Sequence, residues 1–511
     1  MLKRRDVLQW AGGAAVSLLG AGSALAEGSP QDAKNAIQPF SSTTVLDAAR
    51  ALASKSFSAP DADLPGPLSG LSYEAYVAIH AKPEGMIWAN DPGGFVLEPL
   101  HRGFVFTTPM QINLVEDGLS RRLTYDAGQF VFGGVNMSAP PVNLDFSGFR
   151  AMHRGDDGSL SEIAIFQGAS FFRSLAPGQN FGVTARGLSL RAGDPRGEEF
   201  PFFRAVWIEK PTRAGNVLVV HALLDSESVT GAYRFTLHPG DATIIDTECT
   251  LFPRVDIDNI GLATMSATSL FTPLERRGAD DVRGAAAEVA GLQMLTGAGE
   301  WVWRPVANRS KLQISEFVDQ NPKGFGFLQR TRAFNAFNDD VQHWERRPSL
   351  WIEPIGDWGL GSVELLEIPS DAEPAQNIIA FWRVKKGLAK GQSAEFAYRQ
   401  FWCWSPPTSP PNAVVIGSRG GRGGAPKQRR FQVDFEADFL GDPAKASEIK
   451  ANLTATPGRI SWVRLFPAPE QKRLRVLFDL DPNGETACEM RLTLEAQGAP
   501  VSETWLYRWT S

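Results

Sequence analysis

From residue 231 to 252 apolar and polar residues alternate with few breaks, GAYRFTLHPGDATIIDTECTLF. Tyr233, Phe235 and Leu237 fall on one face, His238-Pro239-Gly240-Asp241 has turn chemistry, and Ile245, Cys249 and Leu251 share a face on the return. Successive side chains of a strand point to opposite faces, so this pattern predicts a β-hairpin. A period of two recurs in GFVFTTPMQINLV (103–115), in EWVWRPV (300–306) with Trp301 and Trp303 on one side, and in SVELLEI (362–368). NIIAFWRV (377–384) is apolar on both faces, which predicts a central strand. Helical spacing is confined to the N-terminal part. SSTTVLDAARALASKSF (41–57) places Val45, Ala49, Leu52 and Ala53 on one face, with Ser and Thr as N-cap oxygens. LSYEAYVAIH (71–80) predicts a short helix capped by Ser72, with Leu71 and Tyr76 spaced for a hydrophobic staple.

At 511 residues the chain is too long for one hydrophobic core. A boundary is expected near CWSPPTSPPNAVV (403–415), a proline-rich connection. Beyond it RRFQVDFEADF (429–439), SWVRLFPAP (461–469), KRLRVLFDLDP (472–482) and ETWLYRWTS (503–511) are short alternating segments, the pattern of a small β-sandwich. SRGGRGGAPKQRR (418–430) lies among them and reads as a solvated, flexible hairpin loop. The fold class is all-β.

The first residues, MLKRRDVLQWAGGAAVSLLGAGSALAEG, carry an Arg4-Arg5 pair, a modest apolar run from Val7 to Leu19, and Ala24-Leu25-Ala26 as a cleavage site. This is a twin-arginine secretory signal over residues 1–26, and it predicts export to the periplasm. The apolar run is short and glycine-rich against the roughly 20 residues of a membrane span, so the mature chain is expected not to span a membrane. Loss of Lys3, Arg4, Arg5 and Asp6, a net +2, takes the formal charge from −6 to −8. An acidic chain argues against nucleic acid as partner. Cys249, Cys403 and Cys488 are far apart and odd in number, so they read as buried thiols rather than a disulfide framework or a metal set. The six His show no metal-binding spacing, and nucleophile-elbow, phosphate-loop and dinucleotide fingerprints are lacking; no cofactor or metal is expected. What is left is a secreted β-rich chain with 32 Phe, 14 Trp, many arginines and many carboxylates, a set that suits carbohydrate but equally fills a sandwich core.

Longer stretches raise the first reading. LSYEAYVAIHAKPEGMIW (71–88), FQGASFFRSLAPGQNFGVTARGLSL (166–190), GEEFPFFRAVWIEKP (197–211), GEWVWRP (299–305), NPKGFGFLQRTRAF (321–334), RRPSLWIEPIGDWGLGSVELLEIP (346–369) and NIIAFW (377–382) occur in order. Together they resemble the periplasmic glucan biosynthesis protein G/D family (OpgG/OpgD, MdoG/MdoD) over about residues 35–511, D-like because of the twin-arginine signal. The resemblance implies a large N-terminal β-sandwich of galactose-mutarotase type with a long cleft (27–400) and a small immunoglobulin-like β-sandwich (401–511). It implies work on β-1,2-linked osmoregulated periplasmic glucan, some members looking like inverting glucanases and others like transglycosylases. A membrane glucosyltransferase is then a candidate partner.

An inverting glycosidase needs a general acid and a general base on either side of the scissile bond. In hydrolytic members an Asp is expected immediately before the Asn-Ile of the NI-apolar-A-aromatic-W strand; here that residue is Gln376. The second carboxylate, the base, maps to Glu288, in AAAEVAGLQM. Either the hydrolytic acid is lost and the protein binds or shapes the glucan as a scaffold, or Asp371, Glu373, Asp339 or Asp340 supplies the proton. For sugar contacts the candidates are Arg330, Arg332 and Arg347 as donors, Trp351, Trp358 and Trp382 as stacking faces, and Gln376. Against these stand structural pairing of the arginines with Glu345, Glu353 or Asp357, and Trp382 as plain core.

Overall fold

The computed structural model describes residues 37–137, 144–155, 157–212, 215–276 and 278–511; the signal sequence assigned to residues 1–26 lies outside them. The chain is almost entirely β. Two large sheets face each other. The first begins with Gln38–Pro39 and Leu119–Arg122, and runs through the hairpin Val229–His238 and Thr243–Pro253 to Ala394–Cys403. It continues through Ser349–Ile355, Gly324–Leu328, Gly291–Leu295 and Trp301–Pro305 to Thr504–Thr510, Ala487–Ala496 and Lys450–Thr456. The second runs from Gln313–Gln320 through Leu360–Glu367, Ile378–Val384, Ile260–Ala267, Thr184–Arg186 and Phe171–Ser174 to Leu160–Gln167, Gly148–Arg154 and Phe95–Leu100.

The apolar faces meet between them. Phe149, Phe166 and Phe172 of the second sheet stack at 5.1 Å centroid spacings, and Phe235 of the first meets Phe166 at 5.4 Å and Phe172 at 5.2 Å. Such contacts bury the strongest apolar residues of both sheets. The hairpin at 231–252 forms as its alternation predicts, with Tyr233, Phe235, Leu237, Ile245 and Leu251 buried. Ile378–Val384 is central, flanked on both sides by strands.

Several expectations need correction. The helix predicted over 41–57 is Thr44–Ala53, and Thr43 makes no side-chain cap bond; Thr44 Oγ1 instead accepts from the Ser41 amide. The helix at 71–80 shortens to Tyr73–Val77, with Ser72 accepting from the Ala75 amide. In 103–115 only Gln111–Glu116 is a strand. The basic 418–430 stretch is not a flexible loop: Val414–Arg422 and Arg429–Glu436 are paired strands around a short turn. Gly420 makes this packing fit, because a Cβ there would stand 2.5 Å from the Leu274 carbonyl oxygen.

The last strand of the first sheet before the proline-rich run ends at Cys403, three residues past the expected boundary at 400. The C-terminal residues form a four-stranded sheet, Val414–Arg422, Arg429–Glu436, Arg473–Asp481 and Arg459–Ala468. Their other strands extend the first large sheet, through the parallel pairs Val302 with Thr504 and Trp303 with Trp505. The C-terminal core accordingly includes Leu274, Trp303 and Leu328 from the larger unit. Cys249, Cys403 and Cys488 are free and buried. Among the described residues no helix is long and apolar enough to cross a membrane.

Beside the sandwich core, buried His101 accepts from the Tyr125 hydroxyl (2.8 Å) through one ring nitrogen and donates to the Arg102 carbonyl (2.7 Å) through the other. Burial is the main force that pushes its pKa down, from 6.5 to about 4. The unfolded chain therefore takes up a proton that the folded chain resists. The stability held by neutral His101 is intact above pH 6.5 and drains away as pH falls through 4, about 3 kcal/mol at about 1.4 per unit. A denaturation series from pH 7 to 4 should show His101→Gln losing this part of the slope; an unchanged slope would refute the assignment.

Candidate functional site

A polar row crosses the second sheet. Arg173, Thr184 and Ser266 are neighbours on three adjacent strands, since Ala185 pairs with Phe172 and Thr184 pairs with Ser266. Arg173 Nε donates to Thr184 Oγ1 at 2.7 Å. Gln376 reaches onto this row from the loop before Ile378. Its Oε1 accepts from Ser266 Oγ at 2.8 Å, and its Nε2 donates to Thr184 Oγ1.

The loop is held so that Gln376 points there. Buried Asn377 accepts from the Ser269 amide (2.8 Å) and donates to the carbonyls of Ser269 (3.0 Å) and Ile368 (3.1 Å). Thr268 Oγ1 donates to the Ala375 carbonyl at 2.8 Å. An Asn between two strand ends thus acts as a backbone mimic, which fixes the residue before it.

Glu288 is anchored to the same short segment. Its Oε2 accepts from the Thr268 amide at 2.8 Å, and its own amide donates to the Thr268 carbonyl at 2.9 Å. Part of its side chain still meets solvent, yet protein atoms surround it densely. Burial raises its pKa above the ordinary carboxylate value, outweighing the pull of Arg347, the Thr268 amide and Arg173. Arg347 comes from the stretch before Ser349–Ile355. It donates to the Phe181 carbonyl and, at 2.6 Å, to Gln342 Oε1, and its guanidinium lies 5.2 Å from the Trp344 ring centre. Glu288, Gln376, Arg173 and Arg347 thus form one partly open constellation: Arg173 stands on a strand of the second sheet, and the other three come from the segments that lead into Gly291–Leu295, Ser349–Ile355 and Ile378–Val384.

The remaining candidate carboxylates are committed or remote. Arg283 binds Asp339 (2.8 Å), Glu373 (2.9 Å) and Asp281 (2.8 Å) together. Asp339 is buried, which works to raise its pKa, but Arg283, the Gln342 and Val341 amides and the Trp344 indole N–H hold it at about 2. Asp339 cannot serve as a proton donor in that state. Asp340 and Asp371 are exposed.

The sugar-contact candidates divide differently than expected. Arg347 lies in the constellation. Arg330 does not: it forks onto Glu503 (2.6 and 3.0 Å) and stacks 3.7 Å from the Trp303 ring centre. Arg332 donates to the carbonyls of Glu345, Arg347 and Trp404 and to Ser349 Oγ, so it stitches backbone together. Trp351, Trp358 and Trp382 are 1%, 4% and 0% exposed, which leaves no ring face for a sugar. Trp351 stacks on Trp301, and Trp382 and Trp358 pack together in the core, as large aromatic faces do when they fill a gap between sheets.

Arg173, Thr184, Ser266 and Arg283 were not anticipated. A signal for Arg173 existed, because in FFRS the buried Phe172 forces its neighbour onto the opposite face. Trp404, 37% exposed with Arg332 4.9 Å from its ring centre, is an aromatic near Arg332 that does reach solvent. A cavity of about 510 Å³ lined by Arg304, Glu316, Thr454, Glu489 and Arg508 shares no lining residue with the constellation. Among the described residues no group of His, Cys, Asp and Glu is placed to hold a metal.

Because the Glu288 carboxyl takes up its proton more readily folded than unfolded, its contribution favours the fold at low pH and turns against it as pH rises through the raised pKa. Glu288→Gln should remove that dependence. Melting temperatures of the two proteins should diverge as pH rises from 4 to 8, with the variant gaining; parallel curves would count against a buried, proton-retaining carboxyl.

A family model described as periplasmic glucan biosynthesis protein, MdoG, matches residues 40–509. A glucans biosynthesis protein G of Vibrio cholerae serotype O1 is 41% identical over 476 residues, covering 92% of this chain and 87% of that one. One from Rhodopseudomonas palustris is 40% identical over 515 residues, covering 100% of both. The likeness to a solved galactose mutarotase related enzyme from Lactobacillus acidophilus is slight, with 7% identity, a TM-score of 0.19, and 51% of this chain and 91% of that one covered.

Proposed function

Since the chain belongs to the MdoG family of periplasmic glucan biosynthesis proteins, we propose that it binds the β-1,2-glucan backbone at the Glu288–Arg347–Gln376 constellation and handles the chain without cutting it. The observation that carries this is the state of Gln376. Both atoms of its amide are engaged, by Ser266 and Thr184, and the resemblance implies an Asp at this position in hydrolytic members. The nearby alternatives, Asp339 and Glu373, are held by Arg283. What remains is a set of hydrogen-bonding groups suited to hydroxyls: guanidinium donors, an amide, and a carboxyl whose burial favours the protonated form. On this reading the exported protein, freed of residues 1–26 after twin-arginine transport, presents glucan to a membrane glucosyltransferase.

The test is to incubate the protein from Glu27 onward with linear β-1,2-glucan and to resolve the products by chromatography and mass. Bound but unchanged glucan is the expected result. Shorter chains, or rings lighter by one water, would overturn it. One observation favours that second outcome: Glu288 keeps a carboxyl at the position the resemblance gives to the second member of the pair. In that case Glu288→Gln should abolish the conversion.

A further inference from the structure

The four-stranded C-terminal sheet has one face in the core and one in solvent. Phe431, Val433, Phe435, Val476 and Phe478 point inward and are at most 1% exposed. The register places the outward residues in rows. Trp462, Asp479 and Arg430 form one row; Arg464, Leu477, Gln432 and Arg419 the next; Phe466, Arg475 and Asp434 the third. The edge strand Arg459–Ala468 therefore sets Trp462 and Phe466 on one open face, four residues apart, a separation of about 13 Å at 3.3 Å per residue. Phe466 is 49% exposed. Trp462 is half-buried, held by the guanidiniums of Arg430 at 4.7 Å and Arg464 at 5.4 Å.

Nothing in the folding of the sheet calls for these two rings on the wet side, where strands ordinarily place polar residues. Around them the charges are largely cancelled across strands. Arg430 pairs with Asp479 (2.7 Å), Arg475 with Asp434 (2.7 Å) and Arg473 with Glu436 (3.1 Å). Arg419 and Arg464, which form no salt bridge among the described residues, stand on opposite edge strands with Leu477 and Gln432 between them. That spacing gives no concentrated cationic patch of the kind a polyanion requires. A flat strip with two aromatic faces, planar hydrogen-bonding groups and little net field matches an uncharged polyhydroxylated chain. Apolar C–H faces of sugar rings lie on the aromatics, and hydroxyls meet guanidinium, amide and carboxylate.

We propose that this outer face, with Trp462 and Phe466 along its edge strand, is a second glucan-binding surface, separate from the Glu288 constellation. It rests on the reading of glucan as the protein's ligand. Two sites on one molecule give a long chain two points of attachment, so the second contact strengthens the first through effective concentration.

The test uses the whole mature chain and linear β-1,2-glucan in titration calorimetry, with Trp462→Ala/Phe466→Ala as the variant. Both residues are at the surface, and an unchanged melting temperature will show that the variant folds. With short oligosaccharides the wild type should titrate two sites and the variant one. With long chains the variant should bind about tenfold more weakly. Identical titrations would overturn the proposal and leave the first site standing. A single site in the wild type that disappears in the variant would support this surface and sink the constellation as a glucan site. No binding to the wild type at all would overturn both.

Discussion

Replacing Glu367 by alanine should remove about 3–5 kcal/mol of stability, the cost of leaving buried charge without its partner. Glu367 lies on the second sheet and is 0% exposed. Its Oε2 accepts from Arg304 at 3.1 Å and from Arg309 at 3.3 Å, and its Oε1 accepts from the Ala307 amide at 2.7 Å. Both guanidiniums are buried against Tyr507, 5.4 and 5.0 Å from its ring centre, and Glu275 at 3.7 Å is the other acid near Arg309. Without Glu367 two desolvated cations share one more distant anion. Glu367→Gln keeps the shape and loses the charge, so it should fall between alanine and wild type. Urea unfolding measures this directly, and a loss below about 1 kcal/mol would mean that water reaches the arginines. A triple change of Glu367→Leu, Arg304→Met and Arg309→Met should recover much of the loss, because well-packed apolar groups avoid the desolvation penalty.

The second large effect is expected at Glu503. Its side chain accepts four bonds: from Arg330 at 2.6 and 3.0 Å, from Gln293 Nε2 at 2.8 Å and from the Val415 amide at 2.7 Å. These donors come from three separate parts of the chain. Glu503→Ala should cost a similar 3–5 kcal/mol. It should also loosen the C-terminal unit first, seen as faster amide exchange in 414–422 and 504–510 than in the hairpin 229–253. The same substitution separates two roles for Arg330. If Arg330 served the sugar, releasing it would alter glucan affinity. The geometry places it in the structure, so glucan affinity of the folded fraction should stay unchanged.

The strands were readable because alternation is a local property. Tyr233, Phe235 and Leu237 announce an inward face whatever lies opposite, and the doubly apolar NIIAFW announces a centre. The family was readable from long ordered stretches, and Glu288 and Gln376 came with it. The tryptophans misled because exposure is not local. Trp351, Trp358 and Trp382 look equally suited to a sugar or a core, and only the opposing sheet decides. Arg330 misled for the same reason, since its partner Glu503 is 173 residues away. Arg173, Thr184 and Ser266 are ordinary polar residues in sequence; they become a row only when three strands pair. The glycine-rich 418–430 stretch read as a loop because nothing local reveals the Leu274 carbonyl against which Gly420 must fit.

The shared sheet has a consequence for recombination among relatives. The proline-rich run after Cys403 looks like a cassette border, yet a cut there would pass between partners rather than between modules. Strand Thr504–Thr510 finds its neighbour at Trp301–Pro305, Glu503 finds Arg330, and Tyr507 lies against Arg304 and Arg309. A chimera that exchanges only the C-terminal hundred residues inherits one half of each of these agreements. To be a true graft it has to bring Trp303, Arg304, Arg309, Arg330 and Glu367 with it, which makes the transferable unit a discontinuous surface and not a stretch of chain.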